Sequence, residues 1–280
     1  MLKSIFNFFV FSSLFIALCA VLMVYQTWRL FLPGPPDLQL MLFVFFSTMC
    51  SYNFHWYLTT HSATGSERLQ WAVSNKSLHF ILYLVGLVGA LVFCWQLRTH
   101  WFWIGVGAFV TFLYSAPKLP QSYFVWLRKV AIGKTIYLAF VWMYVTTILP
   151  FVISGRPWRV EFTWFVLARF FLIYAICIPF DYRDRADDKA DGIRSLITYF
   201  NERGVDNIFT LSIALFGVFT GLLLLYGFGW WPVVLLLVPG IVMAALYRYS
   251  KHHFSDYFYY FVLDGLMMLS ALLMLVLGIY

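Results

Sequence analysis

Five of the chain's twelve acidic residues fall in one short stretch, Phe180-Asp181-Tyr182-Arg183-Asp184-Arg185-Ala186-Asp187-Asp188-Lys189-Ala190-Asp191-Gly192-Ile193-Arg194-Ser195-Leu196, of a sequence that is otherwise mostly apolar. If that stretch is helical, Asp181, Asp184 and Asp188 stand at i, i+3 and i+7 and project from one face. Three like charges on one face repel, and a bound cation relieves that repulsion. Hard carboxylate oxygens suit Mg²⁺, which commonly takes one or two carboxylates and completes its shell with the phosphate oxygens of a substrate. Lys189 and Arg194 follow at once and can meet the same phosphates. The plainer alternative is a solvated charged loop between two membrane helices, with its acids and bases paired to one another.

Those carboxylates must be positioned by elements of an unusual kind. Hydrophobic residues make up 62% of the sequence and charged residues 11%, and the mean hydropathy is +0.81. An ordinary soluble domain carries about one quarter charged residues, so the composition predicts an all-α, polytopic membrane protein. A spanning helix needs about 20 apolar residues. Nine segments qualify, over residues 4–27, 37–58, 78–97, 100–115, 134–153, 162–180, 206–228, 231–247 and 258–278. The first has a charged start at Lys3 but a long apolar core and no clean small-x-small cleavage site, so it reads as a membrane helix.

With the N-terminus cytoplasmic, the loops around 59–77, 116–133, 181–205 and 248–257 face the cytoplasm. Fourteen Lys and Arg then fall inside and four outside. The positive-inside rule accounts for that asymmetry and for the net charge of +7, with no nucleic-acid partner required. The four cysteines form no CxxC pair and read as small core hydrophobes. Eight tryptophans, among them Trp101, Trp158, Trp230 and Trp231, fall near predicted helix ends, as an interfacial aromatic belt would place them. No repeat or linker divides the chain, so residues 1–280 read as one integral membrane domain.

The spacing Asp181-x-x-Asp184-x-x-x-Asp188-Lys189-Ala190-x-Gly192-x-Arg194-Ser195-Leu196 resembles the second aspartate-rich motif of the UbiA-type intramembrane prenyltransferases. It follows the sixth predicted helix, where that family carries it. Tyr114-Ser115-Ala116-Pro117-Lys118 is similar to the family's Y-[ST]-x-P-x-x-[KR] loop. The resemblance implies a nine-transmembrane-helix bundle around a central cavity open to the cytoplasm and to lipid. It further implies Mg²⁺-dependent transfer of a prenyl group from a polyprenyl diphosphate to a lipophilic or aromatic acceptor. Asp181, Asp184 and Asp188 would hold the metal, while Lys118, Arg128, Lys189 and Arg194 would meet the diphosphate.

The family's first motif, N-D-x-x-D-x-x-x-D, should close the second helix. Here Asn53-Phe54-His55-Trp56-Tyr57-Leu58-Thr59-Thr60-His61 matches only at Asn53, and Phe54, Tyr57 and His61 stand at the acidic positions. Asn53, Tyr57 and His61 fall at i, i+4 and i+8, so one helical face would offer hydrogen bonds to substrate in place of carboxylates. This departure favours the other function class, a relative that has lost turnover and serves as a lipid-binding or partner-binding membrane protein.

Two further constellations stand out. His252-His253 with Asp256, and His55 with His61, carry metal-ligating side chains but none of the boxes of membrane di-iron enzymes, so interfacial hydrogen bonding is the default. Arg169 and Asp264 are the clearest intramembrane charges. They can pair with each other, or Asp264 can accept a proton or touch a substrate.

Overall fold

The computed structural model describes residues 2–59, 66–115, 134–190 and 200–279. Every regular element among them is helical, as a bilayer demands of a chain whose backbone polar groups must be satisfied within each segment. Seven helices are long and apolar enough to cross a membrane among these residues. All nine predicted segments are occupied by helices, and among the described residues the count of seven differs from nine at two of them. α3 (Leu38–Leu58) has the length, yet Gln39, Asn53 and His55 dilute its hydropathy, and α6 (Trp101–Ser115) has 15 described residues.

The first predicted helix is also corrected: it is two helices, α1 (Leu2–Phe11) and α2 (Leu14–Phe31). Ser13 breaks the run by adopting φ 68, in the left-handed region. That conformation costs an L-residue about 1–2 kcal/mol. The Asn53 side chain donates to the Ser12 carbonyl at 3.1 Å, satisfying an acceptor beside the break.

α3 starts where the Asp37 carboxylate accepts the Gln39 and Leu40 amides. Ser66 caps the short α4 (Glu67–Ser74) by accepting the Leu69 amide, and α5 (Lys76–Gln96) follows. α3 and α5 form the closest pair. A Cβ on Gly86 would come within 2.6 Å of the Cys50 backbone, and one on Gly89 would meet the Phe46 ring. These two glycines let the backbones approach, the usual role of small residues between membrane helices.

After α6 the described chain resumes in α7 (Lys134–Met143), a π-helical turn over Tyr144–Ile148 and α8 (Leu149–Ile153). The long α9 (Val160–Ala190) carries Pro179 inside it. α10 (Glu202–Gly221) is capped by Asn201 and runs into a 3-10 turn ending at Gly227, whose φ is 84. α11 (Trp230–Ser250) precedes a second π-helical turn, Phe258–Leu263, which leads directly into α12 (Asp264–Leu277).

The core runs through α2, α9 and α12 and is built from residues such as Met23, Ile173, Ile176, Leu263 and Met274. Trp101, Trp158, Trp230 and Trp231 are exposed, as are Phe102, Leu225 and Val276. An apolar exterior over an apolar interior is the pattern of an integral membrane protein, which needs no polar coat across the bilayer.

Candidate functional site

α9 does not stop at the membrane segment predicted from hydropathy. It continues as one helix through Asp181, Asp184, Asp188 and Lys189 to Ala190. Asp181 and Asp184 therefore share a face, as i, i+3 spacing requires. Pro179 lacks an N–H and removes one rung of the helical ladder two residues before Asp181. Asp181 is 5% exposed, whereas the Asp184 side chain keeps 39% of its surface.

Arg183, between them, turns its guanidinium inward. Its Nε donates to Asp184 Oδ1 at 2.8 Å and its Nη2 to the Tyr260 hydroxyl at 3.0 Å, with the Tyr259 ring 4.6 Å from Cζ. Tyr259 and Tyr260 lie on the π-helical turn before α12, where the wider turn changes which side chains face α9.

A second guanidinium reaches the same tyrosine from α4. Arg68 Cζ sits 4.0 Å from the centre of the Tyr260 ring and 4.3 Å from that of Trp56 on α3, so the buried cation lies in the corner of two rings that meet edge to face at 78°. Asp256 fixes this arrangement. Its carboxylate accepts the Ser66 hydroxyl at 2.9 Å and the Arg68 backbone amide at 3.0 Å, and it stands 4.0 Å from Arg183 Nη1. Burial lowers the Arg68 pKa from its usual value, while Tyr260, Asp264, Tyr52 and Asp256 act in the opposite sense. The guanidinium stays charged.

Two donors of this cluster, Arg68 Nε and Arg183 Nη1, are buried and meet no hydrogen-bond acceptor. A buried unsatisfied donor costs about 1–3 kcal/mol, more when charged. Sequence reasoning passed over Arg68, Asp256 and Tyr260 as a unit because they lie far apart in the chain. The only sequence signal was an arginine in a short polar segment between two membrane helices.

The other predicted site residues are distributed as follows. Asn53 is fully buried and commits its amide: Nδ2 donates to the Ser12 and Met49 carbonyls, and Oδ1 lies 2.7 Å from His79 Nδ1. Tyr57 is half-exposed and packs on Phe80, while Phe54 packs on Tyr83. That face of α3 is turned to α5, while Trp56 of α3 reaches the Arg68 and Tyr260 cluster. His61, Lys118, Arg128 and Arg194 lie outside the described residues, and for Asp188 and Lys189 only the helical backbone is described.

The possible pairing of Arg169 with Asp264 is corrected: among the described residues no ion pair joins them. Arg169 Nη2 donates instead to Gln26 Oε1 at 2.9 Å. His253 stacks on Tyr249, and Asp256 is spent on α4 and Arg183.

Among the described residues no three His, Cys, Asp or Glu side chains converge as a complete metal-binding group. The donor set nonetheless fits Mg²⁺ shared with a substrate, since Asp181 and Asp184 offer hard oxygens from one face and such ions are commonly completed by phosphate oxygens.

Comparison with curated proteins and with solved structures gives no match. The family model described as "UbiA prenyltransferase family" matches residues 70–278. The matched stretch takes in Asp181 through Leu196 and begins after Asn53 through His61, where the first motif lacks its acids. A match over well more than half of the chain, on an all-helical membrane scaffold with the aspartates at the end of α9, shows that the chain belongs to the UbiA prenyltransferase family.

Proposed function

We propose that this protein binds a prenyl diphosphate at the Asp181 end of the bundle and transfers the prenyl group to a lipophilic or aromatic acceptor held in a central cavity. The observation that carries this reading is the pair of buried, unsatisfied donors Arg68 Nε and Arg183 Nη1, both on guanidiniums that meet Tyr260, with Arg183 also bonded to Asp184 of α9. A diphosphate brings acceptor oxygens to donors that make no hydrogen bond, the Asp256 carboxylate standing 4.0 Å from Arg183 Nη1.

Asp181, Asp184 and Asp188 would hold Mg²⁺, which when bound neutralises charge building on the departing diphosphate. Arg183 and Arg68 act on the same charge from preorganised positions, since both guanidiniums already lie against Tyr260 and that of Arg68 also against Trp56. Lys118, Arg128, Lys189 and Arg194 are assigned to the outer phosphate. As the allylic C–O bond breaks, its electron pair leaves on the diphosphate. The acceptor's nucleophilic atom forms the new bond to the prenyl carbon and releases a proton. With the N-terminus cytoplasmic, this end of the bundle faces the cytoplasm.

The test is Mg²⁺-dependent binding of a labelled prenyl diphosphate to the purified protein, Asp184→Ala and Arg68→Gln. Each variant is expected to bind at least about tenfold more weakly, the loss of one charge-assisted contact. Equal binding by all three would remove the assignment.

One observation favours a second reading, a relative that retains the scaffold without turnover and binds lipid or a partner. Phe54 and Tyr57, at acidic positions of the first motif, pack on α5 side chains. Asn53, Tyr57 and His61 would then be fitted to that other role. Tight Mg²⁺-dependent binding with no transfer of label to any lipophilic acceptor selects this reading.

A further inference from the structure

A second polar site lies deeper in the bundle, built around Arg169. This arginine is 4% exposed in the middle of the spanning part of α9. Of the five N–H donors of a guanidinium, its side chain uses one, to Gln26 Oε1 at 2.9 Å. One face of the guanidinium is covered by the Phe165 ring, 4.8 Å from Cζ. Gln26 is itself oriented, since its Nε2 donates to the Ser270 hydroxyl at 3.0 Å and to Met274 Sδ at 3.3 Å.

Among the described residues no carboxylate meets this cation. Glu161, eight residues earlier on α9, is paired with Arg159, and among these residues no ion pair joins Arg169 to Asp264. An unpaired charge held out of water costs several kcal/mol, and arginine does not relieve that cost by losing its proton.

We propose that Arg169, with Gln26 and Ser270, binds the carboxylate of a lipophilic molecule within the bundle. A carboxylate matches the planar fork of the guanidinium and supplies the missing charge. An apolar body is implied by the surroundings, since Phe165 lies against the guanidinium, Phe31 packs on Phe165, and Met274 accepts from Gln26. This site is separate from the proposed diphosphate site. Arg169 and Asp181 are twelve residues apart on one helix, about 18 Å at 1.5 Å per residue.

The probe is cis-parinaric acid, a fluorescent long-chain carboxylate, titrated into the full-length purified protein in detergent. Its methyl ester serves as the uncharged control, and thermal stability is read in parallel with sodium acetate or sodium chloride. The acid is expected to bind at least about tenfold more tightly than the ester, and Arg169→Gln to remove that difference. Because Arg169→Gln could fail by misfolding, Gln26→Glu provides an independent arm. It places a carboxylate of the chain itself on Arg169, so it should raise thermal stability without ligand and abolish preference for the acid. Equal binding of acid and ester, or an unaltered preference in Gln26→Glu, would overturn the proposal. Protection by acetate or chloride equal to that by the acid would overturn the lipophilic part of it.

Discussion

Asn53 illustrates how one residue can match a motif and be held by other bonds. Its single amide ties the break after α1, its own helix and His79 together. Asn53→Leu is therefore expected to cost about 1–3 kcal/mol, because the Ser12 carbonyl and His79 lose their partner while buried. Thermal unfolding in detergent measures this, and an unchanged midpoint would mean that water replaces the amide. Arg68 offers the complementary case. Lysine keeps the charge but neither the broad guanidinium contact with Trp56 and Tyr260 nor the Nε donor. Arg68→Lys should thus fold yet bind prenyl diphosphate several-fold more weakly, a result that a merely electrostatic role for residue 68 would not give.

Among the elements, α3 and α5 depend most on what is absent from a side chain. Gly86→Val forces atoms into the Cys50 backbone, which cannot swing aside as a side chain would. A loss of about 1–3 kcal/mol or more is expected, and the folded, monodisperse yield on size exclusion reports it. The helices themselves were legible in the sequence because a bilayer permits few alternatives to long apolar runs. The break at Ser13 was not, since serine carries no strong stop signal and its left-handed backbone depends on contacts from α3. Nor were the π-helical turns at Tyr144–Ile148 and Phe258–Leu263 legible, although the second presents Tyr260 to both arginines. The acidic half of the candidate site could be read because Asp181 and Asp184 sit on one helix. Its basic half could not, because Arg68 meets Arg183 only through Tyr260 and Asp256, which come from the far end of the chain.

For the molecule as a whole, the polar end is cross-braced by ion pairs between helices. Lys251 Nζ lies 2.8 Å from Glu202 and 2.9 Å from Asp206, joining the end of α11 to the start of α10. Burial alone would lower its pKa, but the hydrogen bonds and charges of both acids outweigh burial and leave it raised. A raised lysine contributes stability that is complete below the unfolded value of about 10.4 and fades as pH rises through the folded one. Alkaline unfolding of Lys251→Met should accordingly show a shallower dependence on pH above about 10 than the parent protein. Identical curves would assign the brace no net stability.

The contact between Gln26 and Ser270 joins residues 244 positions apart and brings the first long helix against the last. While the chain is being made, α2 and Arg169 on α9 must wait in the membrane without Ser270 until synthesis is nearly finished. Closing so long a loop costs little entropy beyond that of a shorter one, so the delay is set by translation and not by thermodynamics. A chain that ends before α12 keeps the family motif and the apolar helices but leaves Gln26 without its Ser270 and Met274 partners. Such early-terminated products should enter the membrane normally and then be recognised there as unfinished.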